Sequence, residues 1–249
     1  MAKVISIINH KGGVGKTVTT ANLGAALTIR GYKTLLIDLD GQANLTDILG
    51  LSIELENTIY EAMRGQCGLP IETTPDGLKI VPSCLDMSAI DTDLMPKYAR
   101  EFVLSKLIDP IRKDYDYILI DCPPSLSLST INAMTASDSI LIPVEAEYLA
   151  MRGMGKLTNV LEDVKNNLNK NIKIEGIVIT KYDNRKNLNQ DTYKTIESIF
   201  ASKVFKTKIR PNVAIGEATA SHRDIFRHAP KSAGAEDYNK LCDELLTKE

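Results

Sequence analysis

The chain has 249 residues, 43% hydrophobic and 25% charged, with a formal net charge of −2. Length and ordinary composition suit one large globular domain and exclude a disordered, fibrous or disulfide-stapled chain. No run approaches the ~18–20 apolar residues of a membrane span, and the first apolar run is too short for a secretory leader, so a cytoplasmic protein is expected. Cys67, Cys84, Cys122 and Cys242 are far apart and form no C-x-x-C pair, which reads as reduced thiols rather than a metal or iron–sulfur site.

The first predicted strand covers residues 4–8, followed by a glycine loop and a helix over 16–31 that Gly31 ends. A strand at 34–38 leads to Asp38 and Asp40 and a helix at 44–49, and a further strand covers 79–82. A helix over 99–112 precedes a strand at 117–121, and a helix over 127–136 precedes a strand at 139–144. The last third alternates a helix at 153–168, a strand at 176–180, a helix at 189–200, a strand at 204–209 and a terminal helix at 237–248. Most of these strands are nearly continuous apolar runs, as strands buried on both faces must be. The alternation predicts a doubly wound, mostly parallel α/β sheet flanked by helices in a single domain over residues 1–249. In such a sheet ligands sit beyond the carboxyl ends of the strands. Chemistry-bearing residues lie there: Asp38 and Asp40, Asp121, Lys181, and Arg210-Pro211-Asn212.

The most informative motif is Lys11-Gly12-Gly13-Val14-Gly15-Lys16-Thr17, between the first strand and the first helix. Glycines let successive backbone N–H groups approach phosphate oxygens, and the helix start adds unpaired donors. Lys16 can reach β/γ-phosphates and Thr17 can ligate Mg²⁺. Position 10 is His10, where the strict Walker pattern has its first glycine, and an extra lysine, Lys11, stands at the loop entrance. Lys16 already does the usual work, and Lys11 starts on the far side of its own loop. It is better placed to reach a facing subunit's nucleotide. Asp121, after an apolar strand, is the candidate for the metal, and Asp40 for holding the attacking water or orienting metal-bound waters. If the strand continues, Asp38 and Asp40 point the same way. His10, His222 and His228 do not cluster with cysteines or carboxylates. Charge is uneven: 12 basic against 19 acidic residues up to position 150, and 18 against 13 after it. A basic C-terminal part suits a polyanion-facing surface.

These motifs resemble the ParA/Soj family of partition ATPases, within the group that includes MinD. The resemblance rests on the Lys11–Thr17 loop, Leu36-Ile-Asp-Leu-Asp-Gly-Gln42, Tyr117-Ile-Leu-Ile-Asp-Cys-Pro-Pro-Ser125, Gly216-Glu-Ala218 and Lys231-Ser-Ala-Gly-Ala-Glu236. It implies a P-loop NTPase of the deviant Walker A type, binding ATP and Mg²⁺ through Lys11, Gly12, Gly13, Val14, Gly15, Lys16, Thr17 and Val18. Lys11 would contact the ATP of a second copy in a sandwich homodimer, and Thr17, Asp40 and Asp121 would serve the metal. Pro211 and Asn212 would lie near the adenine. The resemblance also implies slow ATP hydrolysis stimulated by a ParB-like centromere-binding partner. The ATP dimer would bind DNA nonspecifically, associate with the nucleoid and be released on hydrolysis, moving plasmids or chromosome origins. The expected DNA contacts are Arg185, which matches a family position, then Lys208 and Arg223.

The chain departs from the family pattern in two stretches: Asp40-Gly41-Gln42-Ala43-Asn44 stands for Asp-Pro-Gln-Gly-Asn, which leaves the stiffness of that loop open, and Arg210-Pro211-Asn212-Val213-Ala214 stands for Pro-Arg-Asn-Val-Arg, where Ala214 replaces a DNA-contacting arginine. The chain begins at the phosphate-loop strand, so no N-terminal helix-turn-helix extension is expected. A MinD-like membrane ATPase is the first alternative. Its lipid-binding tail helix would need a basic face, and residues 236–249 are acidic. A ParA relative that positions a protein cargo is the second, and a reductase or metabolic ATPase the third.

Overall fold

The computed structural model describes residues 1–147 and 150–247, without the side chains of 150–152. Its strands are β1 (Lys3–Ile7), β2 (Thr34–Asp38), β3 (Glu72–Thr73), β4 (Lys79–Val81), β5 (Tyr117–Asp121), β6 (Ser139–Glu145), β7 (Lys173–Thr180) and β8 (Val204–Lys208). They form one sheet in the order β3-β4-β2-β5-β1-β6-β7-β8, parallel throughout except for the short β3 edge. The helices used below are α1 (Lys16–Ile29), α2 (Asn44–Ile48), α3 (Ile59–Arg64), α4 (Ile90–Leu94), α5 (Val103–Ile108), α6 (Leu128–Ala136), α7 (Ala150–Asn167), α8 (Asn187–Phe200), α9 (Val213–Ala220), α10 (Ile225–His228) and α11 (Ala233–Thr247). The expected doubly wound α/β sheet is the observed one.

Strand parity explains why the apolar runs are continuous. Val4, Ile37, Ile118, Ile120 and Ile142 face one core, while Ile5, Ile7, Leu36, Leu119 and Leu141 face the other. Successive side chains point to opposite faces, so two hydrophobic layers need every position apolar. α1 and α11 close the second layer through Leu23, Leu27, Tyr238, Leu241 and Leu245. α1 lies close to β2: a Cβ at Gly24 would meet Leu36 Cδ2 at 2.5 Å.

Differences from the sequence reading are local. The helix expected over 99–112 is broken into a 3₁₀ turn at Arg100–Phe102, α5, and a second 3₁₀ stretch at Asp109–Asp114. Pro110 supplies no backbone donor and cannot continue an α-helix from the preceding turn. α3, α4, α9 and α10 are short, and their 3.6-residue pattern is too brief to read from sequence. The terminal helix begins at Ala233, and residue 248, where it was expected to end, lies outside the described residues.

β1 sits where the strand order reverses, with β5 on one side and β6 on the other. The register sets Asp121 beside both Ile7 of β1 and Asp38 of β2. The carboxyl ends of three strands therefore converge on the loop after β1, the place an open α/β sheet reserves for its ligand.

Candidate nucleotide-binding site

The loop after β1 wraps into the start of α1 through two left-handed glycines, Gly13 at φ 74° and Gly15 at φ 86°. Side chains with a Cβ rarely adopt that region. Gly15 is the N-cap of α1, and no side chain caps the helix. By contrast α3 carries a full capping box from Thr58 and Glu61, and Asp224 caps α10. The first N–H groups of α1 are thus left for an external anion, with the positive end of a 14-residue helix behind them. The loop is tethered from outside: Thr180 Oγ1 donates to the Val14 carbonyl at 2.9 Å, and Asn9 Nδ2 donates to the Pro143 carbonyl at 2.7 Å.

Lys16 is buried, and its Nζ donates to the Lys11 carbonyl at 3.2 Å, folded back over the loop it would serve. Burial lowers its pKa, and the nearby Asp121 charge opposes that shift. Asp121 is fully buried, and Thr20 Oγ1 donates to its Oδ1 at 3.4 Å. Its other oxygen has no hydrogen-bond partner among the described residues. Burial first, then the Asp38 charge, pushes the Asp121 carboxyl well above the ordinary carboxylate range, opposed by the Thr17 hydroxyl and Lys16. Burial also raises Asp38, to about 6.

Asp38 and Asp40 part company. β2 stops at Asp38, so strand parity does not extend to Asp40. Asp38 is turned inward to Thr46, whereas Asp40 lines a cavity of about 350 Å³ together with Gly12, Gly13, Gly15, Lys16, Thr17 and Val18. The Gln42 N–H donates to Asp40 Oδ1 at 3.0 Å.

A second cavity, about 290 Å³ and mostly apolar, opens on the other side of the loop between Val14, Val18, Ile209, Pro211, Asn212, Ile215 and Tyr238. Pro211 and Asn212 are brought to the loop as expected, and Asn212 also caps α9 by accepting from the Ala214 N–H at 2.8 Å. Tyr238 is a wall that sequence reading did not find, because only the packing of the terminal helix against α1 brings it to the loop. Arg210, which the sequence places beyond its strand, lines the same cavity and is locked by Asp237 and Glu236 at 2.6 and 2.7 Å.

Lys11 lies outside the phosphate cavity. Its ammonium is paired with the Glu147 carboxylate, with the two side chains 38% and 50% exposed. Glu147 follows β6, 136 residues away in sequence, and nothing local to either residue signals the pairing. Beside it, His10 presses its ring to within 2.1 Å of where a Gly153 side chain would begin. Burial, Lys156 and Lys16 all lower its pKa.

The expected DNA contacts divide. Arg185 and Lys208 line one open groove of about 640 Å³ with Lys206, Arg210 and Lys240. Arg185 is engaged by Asp183 through both carboxylate oxygens, at 2.9 and 2.8 Å. Lys208 Nζ lies 3.8 Å from the centre of the Tyr193 ring. Arg223 is not in that groove. It follows α9 beside His222, whose ring faces the Asp47 carbonyl of α2. Ala214 packs against the second core.

An uncapped glycine loop at the sheet's reversal point, a buried lysine over it, converging aspartates and an apolar base-sized cavity define a P-loop NTPase. A protein-family model described as an AAA domain matches residues 2–174. The sporulation initiation inhibitor protein Soj of Bacillus subtilis (strain 168) is 40% identical, covering 98% of each chain. The chromosome partitioning protein ParA of Caulobacter vibrioides is 36% identical, covering 99% of this chain and 95% of its own. The crystal structure of cobyrinic acid a,c-diamide synthase from Mycobacterium smegmatis with bound ATP analog and magnesium superimposes with a TM-score of 0.88 at 31% identity, covering 99% of this chain and 95% of that one. The chain belongs to the ParA/Soj family of partition ATPases.

Proposed function

We propose that this protein is a nucleotide-timed partition switch: ATP and Mg²⁺ close two copies into a sandwich dimer, the dimer holds DNA without sequence preference, and hydrolysis releases it. The single observation that carries this reading is the disposition of the two loop lysines. Lys16 is folded over the phosphate loop, while Lys11 points out of it and is held by a half-exposed carboxylate. A lysine that does not serve its own nucleotide is available to a neighbour's.

The remaining residues take roles their chemistry allows. The N–H groups from Gly12 to Val18 cradle the phosphates, and Lys16 neutralises the β/γ oxygens. The cavity at Pro211 and Asn212 takes the base. Magnesium suits the donor set of Thr17, Asp40 and Asp121, since hard cations take hydroxyl and carboxylate oxygens, and Asp121 Oδ2 is a buried acceptor without a hydrogen-bond partner among the described residues. When bound, the cation supplies charge neutralisation between the phosphates. Asp40 holds the attacking water in line. Nucleotide-bound relatives support this cofactor pair: solved neighbours carry an ATP analog or ADP with magnesium. Phosphate neutralisation by Arg185 and Lys208 holds the DNA backbone, with Arg223 as a separate contact. A ParB-like protein accelerates turnover. Among the described residues no helix is long and apolar enough to cross a membrane.

A second reading, in which the cargo is a protein assembly and not DNA, draws on Ala214, where an apolar residue stands in place of a cation. Asp40→Ala tests the switch itself. The variant should bind the nucleotide, accumulate as an ATP-bound dimer and lose turnover, and undiminished hydrolysis would exclude Asp40 as the water-holding group. DNA retention by the trapped dimer, titrated with salt, separates the two readings.

A further inference from the structure

Asp40 is fixed by a closed hydrogen-bonded ring that runs through three other side chains. Asp38 Oδ1 accepts the Asp40 N–H at 3.2 Å. Asp38 Oδ2 accepts both the backbone N–H and the hydroxyl of Thr46, at 2.9 and 2.8 Å. Thr46 Oγ1 in turn accepts the Ser83 N–H at 2.9 Å, and Ser83 Oγ donates to the Asp40 carbonyl at 2.8 Å. Asp38, Thr46 and Ser83 are completely buried. Both polar groups of the Asp40 backbone are therefore held, one from β2 and one from the segment after β4. The carboxylate is left on the cavity side, with the Gln42 N–H on Oδ1.

The neighbouring residue is held as tightly from outside. A side chain at Gly41 would begin 2.3 Å from Ser88 Oγ and 2.6 Å from Ser88 N. The turn before α4 thus lies directly on the loop, and glycine is there because no side chain fits.

We infer that Thr46 and Ser83, working from the Asp38 carboxylate, are positioning residues that set the direction of Asp40 for hydrolysis. The inference rests on the reading of Asp40 as the group that holds the attacking water. A ring of four short links transmits any slack directly to one carboxylate, and in-line attack is sensitive to its placement: a shift of about 1 Å can cost ~10²-fold. Nucleotide binding draws mainly on the loop N–H donors and Lys16, and a changed ring still leaves the Asp40 carboxylate present for the metal, so the ring should touch turnover far more than affinity. Besides its backbone N–H, Thr46 contributes one hydroxyl that both donates and accepts, which valine cannot replace and serine can.

The test is ATP turnover in Thr46→Val, Thr46→Ser and Ser83→Ala, beside Asp40→Ala and the double variant Asp40→Ala with Thr46→Val. Nucleotide affinity and thermal melting are measured on each. Thr46→Val should lower kcat about 10- to 30-fold with affinity for a slowly hydrolysed ATP analogue within about twofold of the parent. Thr46→Ser should stay within about threefold, and Ser83→Ala should lose roughly three- to tenfold without a change in affinity. In the Asp40→Ala background Thr46→Val should cost nothing further, because residues that act through one group are not additive. Full activity of Thr46→Val beside an inactive Asp40→Ala overturns the ring alone. So does a fall in nucleotide affinity in Thr46→Val as large as its fall in turnover, which marks a general structural defect. An active Asp40→Ala variant overturns the reading of Asp40 and the ring with it. Should Thr46→Val fail to fold, Ser83→Ala decides in its place, and full turnover in that variant overturns the ring.

Discussion

Replacing Lys11 by alanine separates what the residue does in one protomer from what it does between two. In the isolated protomer its ammonium faces Glu147, with 38% and 50% of the two side chains exposed. Such a pair is worth about 0–1 kcal/mol. For a domain of this size that is a loss of ~0–4 °C in melting temperature. Nucleotide affinity of the monomer should hardly change, because Lys16 and the loop amides remain. The dimer is different. A charge-assisted hydrogen bond to a phosphate contributes about 1.5–3 kcal/mol, and two-fold symmetry counts each contact twice. Subtracting about 1 kcal/mol for the two Glu147 pairs given up on closure, half a kcal/mol each, leaves about 2–5 kcal/mol, or a ~30- to 4,000-fold weaker dimer. Sedimentation velocity across a concentration series, with Mg²⁺ and a slowly hydrolysed ATP analogue, measures that constant, and calorimetry confirms that each protomer is loaded. A variant that is fully loaded and dimerises within about tenfold of the parent would refute the cross-contact.

Lys16→Ala should weaken nucleotide binding by at least ~100-fold, from the loss of charge-assisted bonds to the phosphates; calorimetry showing less than a tenfold loss would move the phosphate site elsewhere. Arg185→Glu should leave basal turnover unchanged and flatten the salt dependence of DNA binding by about one counterion per contact removed; unaltered retention would exclude the Arg185 groove. Gly176→Ala should cost about 1–3 kcal/mol by overpacking, because a Cβ there would begin 2.1 Å from the buried Phe205 ring. An unchanged melting curve would mean that β8 relaxes freely away from β7.

The sheet was legible because its strands are buried on both faces, and the runs 35–37 and 118–120 are apolar at every position, as such strands must be. The phosphate loop and the aspartate after β5 were legible because backbone approach and metal chemistry demand particular residues at fixed places. Elements that depend on tertiary partners were not. The broken helix around Pro110 shows an apolar pattern overridden by one missing donor. The apolar cavity beside Pro211 and Asn212 needed Tyr238 from the last helix, which only the packing of α11 on α1 brings to the loop. Charge gave the least reliable guide. Arg185 reads as a free cation, yet Asp183, two residues earlier, already holds it and is itself pulled down to about 2 by that bond. Lys11 likewise reads as unpaired until β6 delivers Glu147 to it. The Thr46–Ser83 link joins two loops with no shared motif, and its only trace in sequence is a pair of small hydroxyl residues after two strands.

The central claim is that ATP, and not ADP, assembles the form that holds DNA. Retention of a random-sequence duplex, measured with no nucleotide, ADP and a slowly hydrolysed ATP analogue at two salt concentrations, tests it most directly. Salt-sensitive binding is expected with the analogue alone, abolished by Lys11→Ala. Equal retention with ADP, or binding by Lys11→Ala as strong as the parent's, would contradict it.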